Sequence, residues 1–261
     1  MEDHQIKEIA STLHGARKAG QSLKQFSAHL KNFKREDAYS IQEEGMRLRE
    51  LDGEKIIGLK MGLTSEGKRK QMNLDSPLYG VLTDTMQIQN EGTYTLKGSI
   101  HPKIEPEIAF YINKELRGTV TREEVLSSCE AICPALEILD SRYDGFKYFS
   151  MEDVISDNSS SSYYILGPKT SDFSKINLKN LSMKMKINGV IAEEGNSKAI
   201  SDDPVISIIQ LAELLNQRGQ SIPAGTFVLA GAATAAVALE EGMEVSLEVE
   251  QLQDMKVSIS K

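Results

Sequence analysis

The chain has 261 residues, 40% hydrophobic and 26% charged, with a formal net charge of −8. At roughly 100–200 residues per domain, that length allows one large domain or two small ones, with a core that needs no disulfide staples. An acidic surface repels phosphate backbones and argues against nucleic acid as a partner, and the absence of Trp removes the best stacking platform for bases.

The N-terminus, MEDHQIKEIA, is charged and amphipathic and lacks the apolar stretch of a secretory leader. No window approaches ~18 consecutive apolar residues, so no membrane partner and a cytoplasmic location are expected. Residues 1–51 read as helical: Ile6, Ile9 and Leu13, then Ala38, Ile41, Met46 and Leu48, fall near helical spacing between Lys and Glu. Such a segment suits a cap or an oligomer contact. The texture changes near residue 52, which divides the chain into a helical segment 1–52 and a strand-rich catalytic domain 53–261. Lys55 to Met61 reads as a strand, followed by a turn and a short basic helix through Lys68, Arg69 and Lys70.

Ile104 to Ile112 is the clearest strand. Apolar Ile104, Pro106, Ile108, Phe110 and Ile112 alternate with polar residues, which gives one buried and one polar face. Pro106 lacks a backbone donor, so this strand is expected at an edge or at a bulge. Ile132 to Leu139 is a second strand. A short helix over 150–156 and a strand from Tyr163 to Leu166 follow. Leu181 to Ile187 and Gly189 to Glu193 form a hairpin through Asn188-Gly189. Asp203-Pro204 opens a helix that runs to Arg218 and stops at Gly219. Thr226 to Ser260 returns to short strands. The fold class is α+β, strand-rich after a helical N-terminal part. Cys129 and Cys133 do not have zinc-site spacing and read as buried free thiols.

Glu105-Pro-Glu107 is the best candidate for chemistry. Residues two apart on a strand share a face, with Cα atoms about 6.5–7 Å apart. Two such carboxylates are either solvated on an exposed face or drawn together by a cation. Glu137 favours the second reading, because it stands alone in the apolar strand Pro134-Ala-Leu-Glu-Ile-Leu139. A carboxylate there is costly unless it is paired or binds a metal. Three such ligands suit a hard divalent ion, Mg²⁺ or Mn²⁺. Lys60, set among apolar residues and glycines, is either half-buried and functional or extends its stem to solvent. Arg142, in Asp140-Ser-Arg-Tyr143, could grip a carboxylate bidentately or belong to a structural ion pair. His101 is a lone histidine, more often structural. Gly62 to Lys68 fits the first seven positions of a phosphate-binding loop, but Arg69 stands where Ser or Thr should hold Mg²⁺. A nucleotide-binding module using this loop is therefore the alternative from another class.

Several ordered strings carry a resemblance. Gly58-Leu-Lys-Met-Gly-Leu-Thr-Ser65, His101-Pro-Lys-Ile-Glu-Pro-Glu-Ile108, Pro134-Ala-Leu-Glu137, Asp157-Asn-Ser-Ser160 and Gly231-Ala-Ala-Thr-Ala-Ala-Val237 resemble segments of the hydratase/decarboxylase group of the fumarylacetoacetate hydrolase superfamily. That resemblance implies a strand-rich mixed β roll of the fumarylacetoacetate hydrolase C-terminal type with a helical N-terminal part. It implies Glu105, Glu107 and Glu137 as metal ligands, Lys60 and Asp84 as catalytic residues, and Ser160 and Thr234 as substrate contacts. The substrate implied is a small 2-oxo dicarboxylic acid of catechol meta-cleavage degradation. Leu59-Lys-Met61, His101-Pro-Lys103, Asp140-Ser-Arg-Tyr143 with Phe146, and Thr234-Ala-Ala236 look like the decarboxylase branch. Metal-dependent decarboxylation of 2-oxo-3-hexenedioate to 2-hydroxypenta-2,4-dienoate and CO₂ is thus implied, with 2-hydroxypenta-2,4-dienoate hydration as the alternative. A complex with the pathway hydratase and a homo-oligomeric state are implied as well.

Overall fold

The structure is a computed structural model that describes residues 1–65, 69, 76–146 and 150–261. Two helices open the chain, α1 (Asp3–Ala19) and α2 (Arg35–Leu51). Each turns an apolar stripe inward: Ile9, Ala10, Leu13 and Ala16 from α1, and Ala38, Tyr39, Ile41 and Met46 from α2. The helical reading of residues 1–51 holds for these two helices and fails between them. There the Leu23 N–H donates to the Arg142 carbonyl at 2.8 Å and the Leu23 carbonyl accepts from Asp144 N–H at 2.9 Å, pairings that a helix could not make.

Strands dominate the rest. Among the described residues, one eight-stranded sheet runs in the order β2 (Leu78–Thr83), β1 (Ile56–Gly62), β10 (Thr226–Leu229), β5 (Lys103–Ile112), β6 (Cys129–Leu139), β7 (Ser161–Leu166), β3 (Gln87–Ile88), with β11 (Val237–Ala238) also on β5. A five-stranded sheet takes the order β4 (Thr93–Thr95), β13 (Met255–Ser260), β12 (Glu244–Val249), β8 (Ser182–Ile187), β9 (Val190–Asn196). The β8–β9 hairpin turns at Asn188 and Gly189, both at positive φ, as a two-residue turn demands. Helices α3 (Arg122–Ser127), α4 (Met151–Ser156) and α5 (Pro204–Asn216) complete the set, and Asp203 caps α5 by accepting from Val205 N–H. The strand-rich α+β architecture expected from the sequence is the one adopted.

The β5 strand departs from expectation in an informative way. It is an interior strand, paired along its length with β6 and flanked on its other side by β10 and β11. Both faces are covered: Ile104, Ile108 and Phe110 join the main core, and Ala109 packs with Cys133, Ala135, Tyr164, Phe227 and Leu229. Pro106 is tolerated because it falls in the interval between β10 and β11. There its carbonyl accepts from the loop N–H of Ala233 at 3.0 Å, and the missing donor interrupts no ladder. Both cysteines lie buried on β6, and burial pushes the thiols up, Cys129 to about 11 and Cys133 to about 12.

Glu54 ties the helical pair to the sheet. Its carboxylate accepts from Arg17 at 3.2 Å, Arg49 Nε at 2.8 Å, Thr83 Oγ1 at 2.5 Å and Thr85 Oγ1 at 2.8 Å. Burial works to raise its pKa, but the Thr83 hydroxyl, Arg49, Thr85 and Arg17 together outweigh burial and hold it below the ordinary value. A lowered folded-state pKa contributes stability above the unfolded value, about 4.3, and that contribution is lost as pH falls through the folded value. Glu54→Gln is expected to destabilise the fold at pH 7 by about 1–3 kcal/mol. In urea melts the gap to wild type should narrow as pH falls below the unfolded value and through the lower folded one; a pH-independent gap would refute the charge argument.

Candidate active site and metal centre

The strand register builds the site. Glu105 and Glu107 share one face of β5, and Glu137 on β6 lies directly opposite Glu105. One carboxylate oxygen from each of the three lies within 4.8 Å of the others. Glu107 and Glu137 are fully buried. Glu107 Oε2 accepts from the Gly231 N–H at 2.7 Å, whereas its Oε1 is buried without a hydrogen-bond partner among the described residues. Burial pushes the Glu107 carboxyl well above the usual range, and Glu137 and Glu105 push it further. Only glycine fits at 231: φ is +114°, and a Cβ would stand 2.5 Å from Thr64 Oγ1.

Lys60 enters from β1. Its ammonium donates to Glu137 at 3.3 Å and to the Ser159 carbonyl at 2.9 Å, and its side chain is 3% exposed. Lys60 is thus buried and does not extend its stem to solvent. Gly80 stands opposite Lys60 in the β1–β2 register, and a Cβ there would approach Lys60 Cε to 3.1 Å. Ser161 Oγ donates to the other side of Glu137 at 2.9 Å. Three carboxylates crowded this closely repel one another, and a divalent cation among them relieves that repulsion. The donor set, all oxygen and partly orphaned, fits Mg²⁺ or Mn²⁺. A cavity of about 280 Å³ opens beside the cluster, walled by residues 60–65, Lys103, Glu105, Leu139, Phe146, Val154, Ser159 and Ala232, Ala235 and Ala236.

Several expected residues fall elsewhere. Asp84 is exposed at the far end of β2, where Oδ1 accepts from the Lys55 and Thr85 N–H groups, each at 2.9 Å. Thr83 pairs with Ile56 while Gly80 pairs with Lys60, so Asp84 is roughly 13 Å along the strands from Lys60 and cannot orient it. Arg142 is buried and committed to its own fold. It pairs with the Asp157 carboxylate, donates to the Asp157 and Ser161 carbonyls, and reaches the Asp140 carbonyl at 2.6 Å. Its structural reading therefore stands, and substrate binding by Arg142 is set aside. Ser160 gives its carbonyl to Asp140 N–H at 2.9 Å, and its neighbour Ser159 forms the cavity wall. Thr234 is 7% exposed and packs its methyl toward Gly195, between wall residues Ala232 and Ala235. In the Gly62–Lys68 segment, residues 62–65 line the cavity, while 66–68, and Lys70 after them, lie outside the described residues.

Sequence reasoning missed Ser159, Ser161 and Gly231. The polar run Asp157 to Ser162 carried a signal, since Asn158, Ser159 and Ser160 all adopt positive φ and so aim a carbonyl at Lys60. Gly231 offered none beyond being a glycine.

A carboxylate triad on paired strands, with Glu107 and Glu137 buried and Glu105 on a cavity wall, defines a metal-dependent enzyme of the fumarylacetoacetate hydrolase type. The chain belongs to that family: the sequence model for the fumarylacetoacetate (FAA) hydrolase C-terminal domain matches residues 60–260. A 4-oxalocrotonate decarboxylase of Pseudomonas sp is 38% identical over 263 residues, 97% of this chain and 97% of that protein. The solved 4-oxalocrotonate decarboxylase from Pseudomonas putida G7, complexed with magnesium and adipate, superposes with a TM-score of 0.96 at 33% identity, covering 99% of this chain and 98% of the other. A 2-hydroxyhexa-2,4-dienoate hydratase of Comamonas testosteroni is 32% identical across 100% of both chains. No helix among the described residues is long and apolar enough to cross a membrane.

Proposed function

We propose that this protein is a carboxy-lyase that converts 2-oxo-3-hexenedioate (4-oxalocrotonate) to 2-hydroxypenta-2,4-dienoate and CO₂, with Mg²⁺ held by Glu105, Glu107 and Glu137. The observation that carries the chemistry is the carboxylate triad, with Glu107 and Glu137 buried and Glu107 Oε1 without a hydrogen-bond partner among the described residues. Whole-chain similarity to 4-oxalocrotonate decarboxylases selects the reaction.

When bound, the divalent ion supplies Lewis-acid stabilisation to an oxygen that gains negative charge. The chain's own residues do the rest. The bond between C5 and the distal carboxylate breaks, its electron pair moves through the C3–C4 double bond toward the 2-oxo oxygen, and that oxygen takes a proton from water to give the 2-hydroxy dienol. Lys60, fixed between Glu137 and the Ser159 carbonyl, places a cation beside that oxygen or the adjoining carboxylate. Ser161 and Lys60 together set the orientation of Glu137. Leu139, Val154, Ala235 and Ala236 supply apolar wall that limits water around the departing CO₂.

Hydration of the dienol is the second reading, favoured by the full-length hydratase similarity. It would use the same ligands but add water. The deciding assay supplies 2-oxo-3-hexenedioate and 2-hydroxypenta-2,4-dienoate separately to Mg²⁺-loaded protein. CO₂ release from the first supports decarboxylation; water addition to the second, without CO₂ release, would overturn it. Homo-oligomerisation and a complex with the pathway hydratase, which would receive the unstable dienol, belong to the same proposal.

A further inference from the structure

We propose that Lys103, held against the ring of Phe146, is the specificity-determining residue that receives the distal carboxylate of the substrate. The proposal rests on the decarboxylase reading. Lys103, Glu105 and Glu107 occupy alternate positions of β5, so all three address the same side of the strand. Lys103 therefore stands about 6.6 Å beyond Glu105 along β5, close to the spacing of the two carboxyls in an extended six-carbon diacid. Among the described residues, the cations on the cavity wall are Lys60 and Lys103. Lys60 is already engaged by Glu137 and Ser159. Lys103 has no carboxylate partner among the described residues; its ammonium sits 4.4 Å from the Phe146 ring centroid.

The ring itself is fixed. His101 packs edge-on against it, with centroids 5.3 Å apart and planes at 77°. The Asp140 carboxylate holds the chain leading into β5 by accepting from Ile100 N–H at 2.9 Å and His101 N–H at 2.8 Å. Phe146 sits at φ +47°, a conformation that a bulky residue adopts only when its surroundings impose it. An aromatic face attracts an ammonium without neutralising it, so Lys103 is positioned and still carries charge for an incoming anion.

The chemistry assigns this contact to binding. The ion pair is strongest while the distal carboxylate is intact. It fades as the C5–carboxylate bond breaks, CO₂ leaves neutral and the electron pair settles at the 2-oxo end. An interaction stronger in the ground state than in the transition state lowers KM and does not raise kcat. A 2-oxo acid without a second carboxylate gains nothing from it.

The test compares Lys103→Met and Lys103→Arg with wild type, all loaded with Mg²⁺. Adipate serves as the dicarboxylate probe and 2-oxopentanoate as the monocarboxylate probe. In Lys103→Met, KM and the adipate inhibition constant should rise at least about tenfold, while kcat should stay within about threefold of wild type or rise. Mg²⁺ affinity and inhibition by 2-oxopentanoate should stay within about twofold of wild type, and Lys103→Arg should recover most of the adipate affinity. Unchanged adipate inhibition in Lys103→Met would overturn the proposal. So would equal losses for adipate and 2-oxopentanoate, which would mean general damage to the site. Should wild type release no CO₂, the decarboxylase reading fails, while the adipate comparison still decides whether Lys103 is the dicarboxylate's cation.

Discussion

Glu107→Gln is expected to abolish the response to Mg²⁺ while leaving the fold intact. Glu107 is fully buried, and one of its oxygens is fixed by Gly231 N–H while the other has no hydrogen-bond partner among the described residues. A glutamine fills the same space and can still accept from Gly231. It removes the charge that makes Oε1 a ligand. Losing a partner outside the ligand set already costs about 10–100-fold in metal affinity, so losing a ligand should weaken Mg²⁺ binding by about 100-fold or more. Turnover should fall with it. The metal-free protein should melt at or above the wild-type temperature, because a neutral amide relieves the repulsion among three crowded carboxylates. Thermal melts with and without Mg²⁺ check both parts. A Glu107→Gln protein that still gained stability from Mg²⁺ and turned over normally would end the metal assignment.

Lys60→Met should behave differently. Methionine retains the stem's volume in the slot left by Gly80 but removes the cation. The triad then carries more uncompensated negative charge but loses a contact that orients Glu137, and these changes oppose each other, so Mg²⁺ affinity should stay within about tenfold of wild type. Turnover should fall by about 10²–10³-fold, the usual loss when one preorganised stabiliser of developing charge is removed. Steady-state CO₂ release with a parallel Mg²⁺ titration separates the two effects. Turnover within a few-fold of wild type would remove Lys60 from the mechanism.

The carboxylate cluster was the most legible part of the sequence. The alternation of β5 put Glu105 and Glu107 on one face, and the apolar setting of Glu137 marked it as a residue with a reason to be there. The register that sets Glu137 opposite Glu105 brings these signals together. Strand content, the Asn188-Gly189 turn and the Asp203-Pro204 start were readable because each depends on local chemistry. What remained hidden depends on long-range partners. Gly231 reaches Glu107 across 124 positions of sequence. Arg142 looked available because nothing local reveals that Asp157, 15 positions on, saturates it. Asp84 looked catalytic only by resemblance, and the β1–β2 pairing carries it away from Lys60. The edge placement of β5 failed for a related reason: Pro106 needs only a local lapse in pairing, which the interval between β10 and β11 provides.

That interval has an evolutionary consequence. The carboxylates stand on strands locked into a ladder, while much of the cavity wall comes from connecting segments: residues 63–65, Phe146, and the 232–236 loop that passes where a strand would otherwise continue. Inherited change can therefore accumulate in the wall without disturbing the ligands, since loops absorb substitution more readily than paired strands. A single metal-binding frame can in this way diverge toward losing CO₂ or adding water, with the difference written in its replaceable lining.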